Sequence, residues 1–421
     1  MNKKKIVIVG GGASGLMASI VIKRALGDLV DILILERLEK IGKKLLATGN
    51  GRCNFSNEIM SDKKFNNPDF VYHSFKKFGY TETLYFFEEL GLMSKVLNEG
   101  RTYPITENAT SVLDVLRLEI EYSGIKVRTS FEVKNMIQKN KKYVLVSTKA
   151  DEVEADYVIL AAGGKASPVL GSNGSGYDIL KPYEININKP LPGLVGLKID
   201  NSLFKSLDGV RSKGKIIIKD KKTKHVYWSE EGEIQFKNDG ISGIVSMQAS
   251  SYLNRRNSSF SSYIISLDLL PNMSSEELYR YIDKKVLMYY DLSVEVLLTG
   301  LINKMISFKI LKESKIDLNR TIGSLTNKEK EKIIKGIKDF SLEVKNTYGF
   351  DKAQVTIGGV DVKEVRKETL ELKKLKNVYV VGELLDIDGE CGGYNLQWAW
   401  TSGYVAGSDI IKKISKEAQH E

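Results

Sequence analysis

Ile6-Val7-Ile8-Val9-Gly10-Gly11-Gly12-Ala13-Ser14-Gly15 is the stretch that decides the fold. Four consecutive branched apolar residues after Lys3-Lys4-Lys5 read as a buried first strand, and three glycines follow at once. Leu16, Ala18, Ile20 and Val21 carry the chain on as a helix, and Asp31–Leu35 read as a second strand. That order, with this crossover length, belongs to a parallel sheet. Gly10, Gly12 and Gly15 have the spacing of a dinucleotide-binding turn. The first glycine permits the tight turn, the second lets a pyrophosphate approach the backbone, and the third lets helix and strand pack closely. The helix N-terminus offers amide hydrogens and a positive dipole end to the phosphates. Glu36 stands 21 positions beyond Gly15, where a carboxylate accepts from ribose hydroxyls and disfavours a 2′-phosphate.

FAD and NAD share this turn, so the choice between them rests on the other end of the chain. There Val378-Tyr379-Val380-Val381-Gly382-Glu383 reads as a strand ending in Gly-acidic, which sets a carboxylate near a ribityl or pyrophosphate group. Asp386-x-Asp388-Gly389 and Cys391-Gly392-Gly393-Tyr394-Asn395 follow, and a glycine pair opening a helix aims amides at a flavin's pyrimidine edge, where reduction gathers negative charge. A long cofactor needs both ends, so FAD is the expected tightly held group. Gly171-Ser-Asn-Gly174-Ser-Gly176 lacks a following acidic strand. No dedicated NAD(P)H domain is therefore expected, and NAD(P)H is left as a transient electron donor.

Between these ends the texture changes. Helical spacing appears at Thr83–Leu90 and Ser111–Tyr122, and strand-like runs at Lys126–Phe131, Tyr143–Thr148 and Tyr157–Leu160. From Pro190 to about Leu270 short strand candidates alternate with turns: Lys215–Ile218, Glu233–Phe236 and Ser262–Leu267. Ser274-x-x-Glu277 and Thr326-x-x-Glu329 are capping boxes that open helices, and Val294–Ile302 also has helical spacing. A final helix is expected from Asn395 to Ile414. The expected fold is α/β. A split Rossmann-like FAD-binding domain, residues 1–190 and 341–421, carries an inserted β-rich, barrel-like substrate domain, 191–270, with a small helical insert, 271–340.

The 421 residues carry 63 Lys and Arg against 53 Asp and Glu, a formal charge of +10. The lysines are scattered through loops such as Lys221-Lys222-Thr223-Lys224 and over helix faces, so they read as a solvated surface, and nucleic acid is not the expected partner. Two cysteines in so long a chain fit a reducing cytosol. No apolar run approaches the roughly 20 residues of a membrane span. A soluble, cytoplasmic protein acting on a small molecule is expected.

Leu45-Leu46-Ala47-Thr48-Gly49-Asn50-Gly51-Arg52-Cys53-Asn54 and the run from Gly382 to Trp400 resemble the signature segments of a bacterial flavoprotein family. Its named members include aminoacetone-oxidase-type and bile-acid-reductase (BaiN-like) NAD(P)/FAD-dependent oxidoreductases. The resemblance spans the chain, including Ala161-Ala162-Gly163-Gly164 and Val355-x-Ile357-Gly358-Gly359-Val360. It implies that Gly10, Gly12, Ala13, Ser14, Gly15, Glu36 and Arg37 bind the ADP half of FAD. It also implies that Lys44, Thr48, Gly49, Gly51, Arg52, Cys53 and Asn54 line the pyrophosphate and flavin side. Val133 then touches adenine, and Ala162, Gly163 and Gly164 pass beneath the cofactor. Asp386, Asp388, Gly393, Tyr394, Asn395 and Gln397 complete the flavin end.

Cys53 and Cys391 lie 338 positions apart in segments this frame brings together. A redox pair is conceivable, but dithiol sites place their cysteines close in sequence, and a small buried residue is the plainer role. His73, His225 and His420 share no metal-ligand spacing. Trp398, Trp400 and Tyr404 read as packing on the last helix. No side chain stands out as a general acid or base, so the flavin carries the expected chemistry, either amine or ketone oxidation or reduction of an activated C=C bond. An FAD-bearing RNA-binding or RNA-modifying protein is the alternative, and a flavin-binding protein without turnover the third reading.

Overall fold

The structure, a computed structural model, describes residues 3–199, 205–256 and 259–420. Two compact units emerge, one from Met1–Pro192 with Gln354–Glu421 and one from Gly193–Ala353.

In the first unit five parallel strands lie in the order Val378–Val380, Tyr157–Leu160, Lys4–Val9, Val30–Leu35, Lys126–Arg128. Ile6 through Val9, Tyr157 through Leu160 and Val378 through Val380 are all buried. Covering both faces of a parallel sheet demands such unbroken apolar runs. The helix Ala13–Leu26 follows the first strand, and the last helix, Tyr394–His420, packs against it. Gly403 makes that contact possible, since a Cβ there would stand 2.4 Å from the Ser14 carbonyl oxygen. Gly407, one turn on, faces Ile22 and Ala18 in the same way. Trp398 and Trp400 are buried, and their indole N–H groups donate to the carbonyls of Gly382 and Phe55 at 3.1 and 2.9 Å. Packing with a satisfied donor is their role.

The second unit is a seven-stranded antiparallel sheet in the order Phe340–Leu342, Tyr263–Asp268, Arg211–Asp220, Val226–Lys237, Gly240–Ser242, Leu197–Ile199, Val344–Thr347. Its two edge strands are neighbours in sequence, separated only by Glu343. One short stretch therefore pairs with both ends, and the sheet curls towards closure as a barrel. Both capping boxes form: Ser274 and Thr326 accept from the amides of Glu277 and Glu329, which reach back in turn. Leu278, Ile282, Ile310, Ile333 and Ile337 of the helices share one core with Ile216, Ile218, Ile234 and Leu267 of the sheet.

The boundaries differ from the sequence expectation in particular places. Residues 341–353 fall with the second unit, because the strands Phe340–Leu342 and Val344–Thr347 hydrogen-bond into its sheet. The helical stretch and the sheet form one core, so 271–340 is not packed as a separate body. Inside the β-rich stretch lies a helix, Ile244–Arg255, that its serines hid. Ser250 and Ser251 are buried there because their hydroxyls accept from the amides of Val195 and Leu194. Val294–Ile302 forms a single 3₁₀ turn, Val294–Val296, followed by turns, with Gly300 at φ +84°. Among the described residues no helix is long and apolar enough to cross a membrane.

Candidate functional site

All of the candidate cofactor residues named from the sequence lie in the first unit. The glycine turn holds two kinds of position. A Cβ on Gly10, at φ +110°, would stand 2.4 Å from the Ala161 carbonyl oxygen, and one on Gly15 would stand 2.1 Å from the Gly10 carbonyl oxygen. Those two glycines are fixed by close approach within the protein. A Cβ on Gly12 meets nothing within 4 Å. Gly12, φ −87°, caps the helix Ala13–Leu26, and no side chain caps it. The free amides of a helix start therefore face open space, an arrangement able to receive an anion. Ser14 is buried at this first turn.

Glu36 ends the second strand buried, with its carboxylate already aimed. Oε2 accepts from Gly11 N–H and Oε1 from Leu38 N–H, each at 2.9 Å. Each oxygen keeps a lone pair, so ribose hydroxyls can still donate. Arg37 leans on Glu132, 3.7 Å away, and Asn173 Nδ2 donates to the same carboxylate at 2.9 Å. Val133 is buried at the start of the strand Val133–Lys139.

Lys44, on the short helix Lys43–Ala47, reaches Glu383 at 2.8 Å. Glu383 Oε1 accepts from the amide and hydroxyl of Thr356 at 3.0 and 2.7 Å, and Thr356 Oγ1 accepts from the amides of Lys165 and Ala166. A Cβ on Gly164 would collide with Thr356 and Glu383. Glycine there lets the chain beside Ala162 and Gly163 (φ +70°) reach the carboxylate. Thr356 belongs to this site, although the sequence reading fixed on its apolar and glycine neighbours. Its only signal was a hydroxyl residue within an otherwise apolar strand.

The loop from Thr48 to Asn54 is held in left-handed backbone. Gly49, Asn50, Gly51 and Cys53 all have φ between 56° and 82°. Thr48 caps the preceding turn by donating to the Leu45 carbonyl at 2.6 Å, and Cys53 N–H donates back to the Thr48 carbonyl. Such strain is kept where surrounding structure enforces it. Cys53 is buried, and burial pushes its thiol up to about 12, which makes it a poor nucleophile at neutral pH. Cys53 and Cys391 are not joined by a disulfide. Arg52 is half exposed, paired with Glu107 at 3.1 Å and lying over the Tyr103 ring at 4.9 Å. Lys95 meets the same Glu107, and the two cations hold its carboxyl below the usual range.

At the C-terminal end the side chains separate into two groups. Gln397 is buried, and its amide is spent on the protein. The two hydrogens of Nε2 are shared among Gly79 O, Thr83 Oγ1 and Thr401 Oγ1, 2.7–3.1 Å away, and Oε1 accepts from Ser56 at 2.6 Å. Asn395 bridges the Gly389 amide and carbonyl, and so clips its own loop. Asp386 is gripped by Asn66 and Asn188 at 2.8 Å each, and the backbone N–H of the buried Asp388 donates to Asn66 Oδ1 at 3.0 Å. These four shape the loop. Gly393 (φ +97°) and Tyr394 open the last helix, and a Cβ on Gly393 would stand 2.3 Å from Ser56 O and 3.0 Å from Asn54 Oδ1. Burial raises the Tyr394 phenol above its ordinary pKa. Asn54 Oδ1 is a buried acceptor with no hydrogen-bond partner.

These features fit a bound FAD. Open space faces an uncapped helix start at one end, an aimed carboxylate stands beside it, and an orphaned acceptor lies against a second glycine helix start. An unpaired buried carbonyl costs about 1–3 kcal/mol, which a donor on a ligand would offset.

Comparison with known proteins agrees. The family described as HI0933-like protein Rossmann domain matches residues 4–409. The 3-dehydro-bile acid delta(4,6)-reductase of Clostridium scindens is 38% identical over 96% of this chain and 98% of its own. The ribosomal RNA dihydrouridine synthase of Escherichia coli is 25% identical over 98% of this chain and 99% of its own. Among solved structures, the 3-ketosteroid-delta4-(5alpha)-dehydrogenase of Rhodococcus jostii RHA1 covers 97% of each chain at 14% identity with a TM-score of 0.47, too remote a likeness to argue from. The chain belongs to the HI0933-like Rossmann-domain family, as an FAD-dependent oxidoreductase.

Proposed function

We propose that the chain holds FAD in this cradle and reduces a carbon–carbon double bond conjugated to a carbonyl in a small organic molecule, with NADH or NADPH as electron source. The observation that carries the bond class is the relative 38% identical over nearly its whole length, whose name specifies a keto bile acid with conjugated double bonds. Amine or ketone oxidation draws no support from that relative. In the overall reaction the β carbon gains a hydride, the α carbon gains a proton, and the reduced nicotinamide becomes oxidised. When bound, the flavin supplies a two-electron carrier that accepts hydride from one partner and delivers it to the other.

The residues divide the supporting work. The first-helix amides beyond Gly12 hold the pyrophosphate, and Glu36, fixed by two amides, takes the ribose hydroxyls. Lys44 and Glu383 bring one cation and one carboxylate together beside the Gly164 backbone. Asn54 Oδ1 would offer a buried acceptor to a bound flavin, and the Gly393 helix start would favour negative charge beside it.

Anaerobic incubation of the flavin-loaded enzyme with NADH or NADPH and a 3-keto-4-ene steroid tests the reading. Loss of enone absorbance, with a product heavier by two hydrogens, is the expected result. An enone that persists, with nicotinamide oxidised only after air is admitted, would sink it.

A further inference from the structure

Reduction of an enone needs a proton as well as a hydride, and none of the residues given a role so far supplies one. A buried tyrosine ordinarily spends its hydroxyl on a partner. Among the described residues of the first unit six tyrosines are buried. Three follow that rule: Tyr143 donates to the Lys376 carbonyl at 2.8 Å, Tyr157 to Glu417 at 3.4 Å and Tyr379 to Asp409 at 2.7 Å. The Tyr177 hydroxyl is sealed inside the protein. Tyr103 and Tyr394 differ from all four. Their rings are buried, yet their hydroxyls reach solvent and bond to nothing among the described residues.

Tyr103 belongs to the strand Arg101–Pro104, the middle one of a three-stranded sheet, so its backbone is held from both sides. The loop that carries Asn54 is tied to the same strand, because Phe55 N–H donates to the Thr102 carbonyl at 3.0 Å. A Cβ on Gly49 would stand 2.7 Å from the Asn54 amide nitrogen and 3.4 Å from Tyr103 Cε1, the ring carbon beside the one that bears the hydroxyl. The Arg52 guanidinium lies 4.9 Å from the ring centroid, and Arg101 and Cys391 are near enough to act on the phenol electrostatically. Loops from both ends of the chain thus converge on one open hydroxyl. Burial holds this phenol above its ordinary pKa, and the two guanidinium groups work against burial. It keeps its proton at neutral pH, with cations beside it that ease the phenolate left when the proton goes. Tyr394 instead opens the last helix beside Gly393 and packs edge to face on Phe65 at 6.0 Å, which keeps it with the residues proposed for the flavin end.

We propose that Tyr103 is the acid of this reduction and gives its hydroxyl proton to the α carbon of the bound enone. The inference rests on the reduction reading and adds to it the residue that completes the reaction. Hydride arriving at the β carbon, with the nicotinamide oxidised in exchange, pushes the π pair towards the α carbon and the carbonyl. That pair takes the Tyr103 proton: the O–H bond breaks and an α C–H bond forms. The phenolate then takes a proton back from solvent, so the whole reaction consumes one proton. Arg52 and Arg101 stabilise the negative charge that the phenol carries between those two steps.

The test is Tyr103→Phe in the flavin-loaded protein, studied by anaerobic stopped flow. The substitution removes a hydroxyl that bonds to nothing in the protein, so the variant should melt within about 2 °C of the parent and retain its FAD. The reduced nicotinamide that the parent accepts should bleach the variant's flavin at a rate within about twofold of the parent's. Reoxidation of the reduced variant by a 3-keto-4-ene steroid should slow at least about a hundredfold. In D2O the parent's product should carry deuterium on one face of the α carbon. The residual product of the variant should carry it on both, because water then protonates without a fixed direction. Reoxidation of the variant at the parent's rate would overturn the assignment. So would deuterium still held to one face, a hundredfold loss in Tyr394→Phe but not in Tyr103→Phe, or a variant that loses its flavin or is bleached as slowly as it is reoxidised. A parent that keeps its flavin, takes electrons from nicotinamide and passes none to the enone would contradict the reduction reading itself, and this assignment with it.

Discussion

Gly12→Ala separates folding from cofactor binding at a single atom. The backbone at Gly12 has φ −87°, open to any residue, and an added Cβ meets nothing within 4 Å. Removing a glycine's freedom from the unfolded chain stabilises a protein by about 0.4–1 kcal/mol where the native backbone allows it. The apoprotein should therefore melt about 1–3 °C higher than the parent. The same methyl projects into the space through which a pyrophosphate reaches the first-helix amides. Losing one charge-assisted amide–phosphate hydrogen bond costs about 1.5–3 kcal/mol, so FAD should bind roughly ten- to a hundredfold more weakly. Gly15→Ala is the contrast, because its Cβ would stand 2.1 Å from the Gly10 carbonyl oxygen. Overpacking of that kind costs about 1–3 kcal/mol, so this variant should melt several degrees lower before any ligand is added. Thermal melts of flavin-stripped protein, paired with titration of FAD followed by its fluorescence, read both quantities. A Gly12→Ala variant that binds FAD like the parent, or that melts as low as Gly15→Ala, refutes this division of labour.

Further expectations come from other parts of the same unit. Gln397→Leu should cost about 2–4 kcal/mol, because Ser56, Thr83 and Thr401 lose their buried partner; a chemical melt within about 0.5 kcal/mol of the parent would show that those bonds matter little. Gly403→Val should force the last helix off the first and lower both the melting temperature and flavin content, as a Cβ there already stands 2.4 Å from Ser14 O; an unchanged melt would contradict the close contact. The Cys53 thiol is raised from 9.0 to about 12, so folding retains a proton that the unfolded chain releases. Its stabilising effect is complete below about pH 9 and is lost as pH rises toward about 12, with a slope near 1.4 kcal/mol per pH unit. Urea melts across that window should show Cys53→Ala with a shallower alkaline decline, and an identical decline would remove the assignment.

What the sequence reveals here follows from how locally each feature is specified. The glycine turn and both capping boxes depend on residues within a few positions of each other, and they form where the spacing puts them. The helix Ile244–Arg255 was hidden because its buried serines owe their place to the amides of Leu194 and Val195, some 55 residues earlier. Barrel closure turns on Glu343 separating two strands that pair with opposite edges, a relation no local pattern records. Gln397 illustrates the limit of motif reasoning. A polar residue on a glycine-started helix suggests a ligand contact, whereas its partners Ser56, Gly79 and Thr83 lie more than 300 positions away and become visible only in the fold. Thr356 is the converse case, a residue of the Lys44–Glu383 network concealed among apolar neighbours.

The central claim, that both ends of this chain build one FAD cradle, is met most directly by the absorbance spectrum of the purified protein after reconstitution with FAD and desalting. The account predicts a retained flavin band near ~450 nm at one FAD per chain, diminished in Gly12→Ala. A protein that emerges from the same column with no flavin, though folded by its melt, would contradict it.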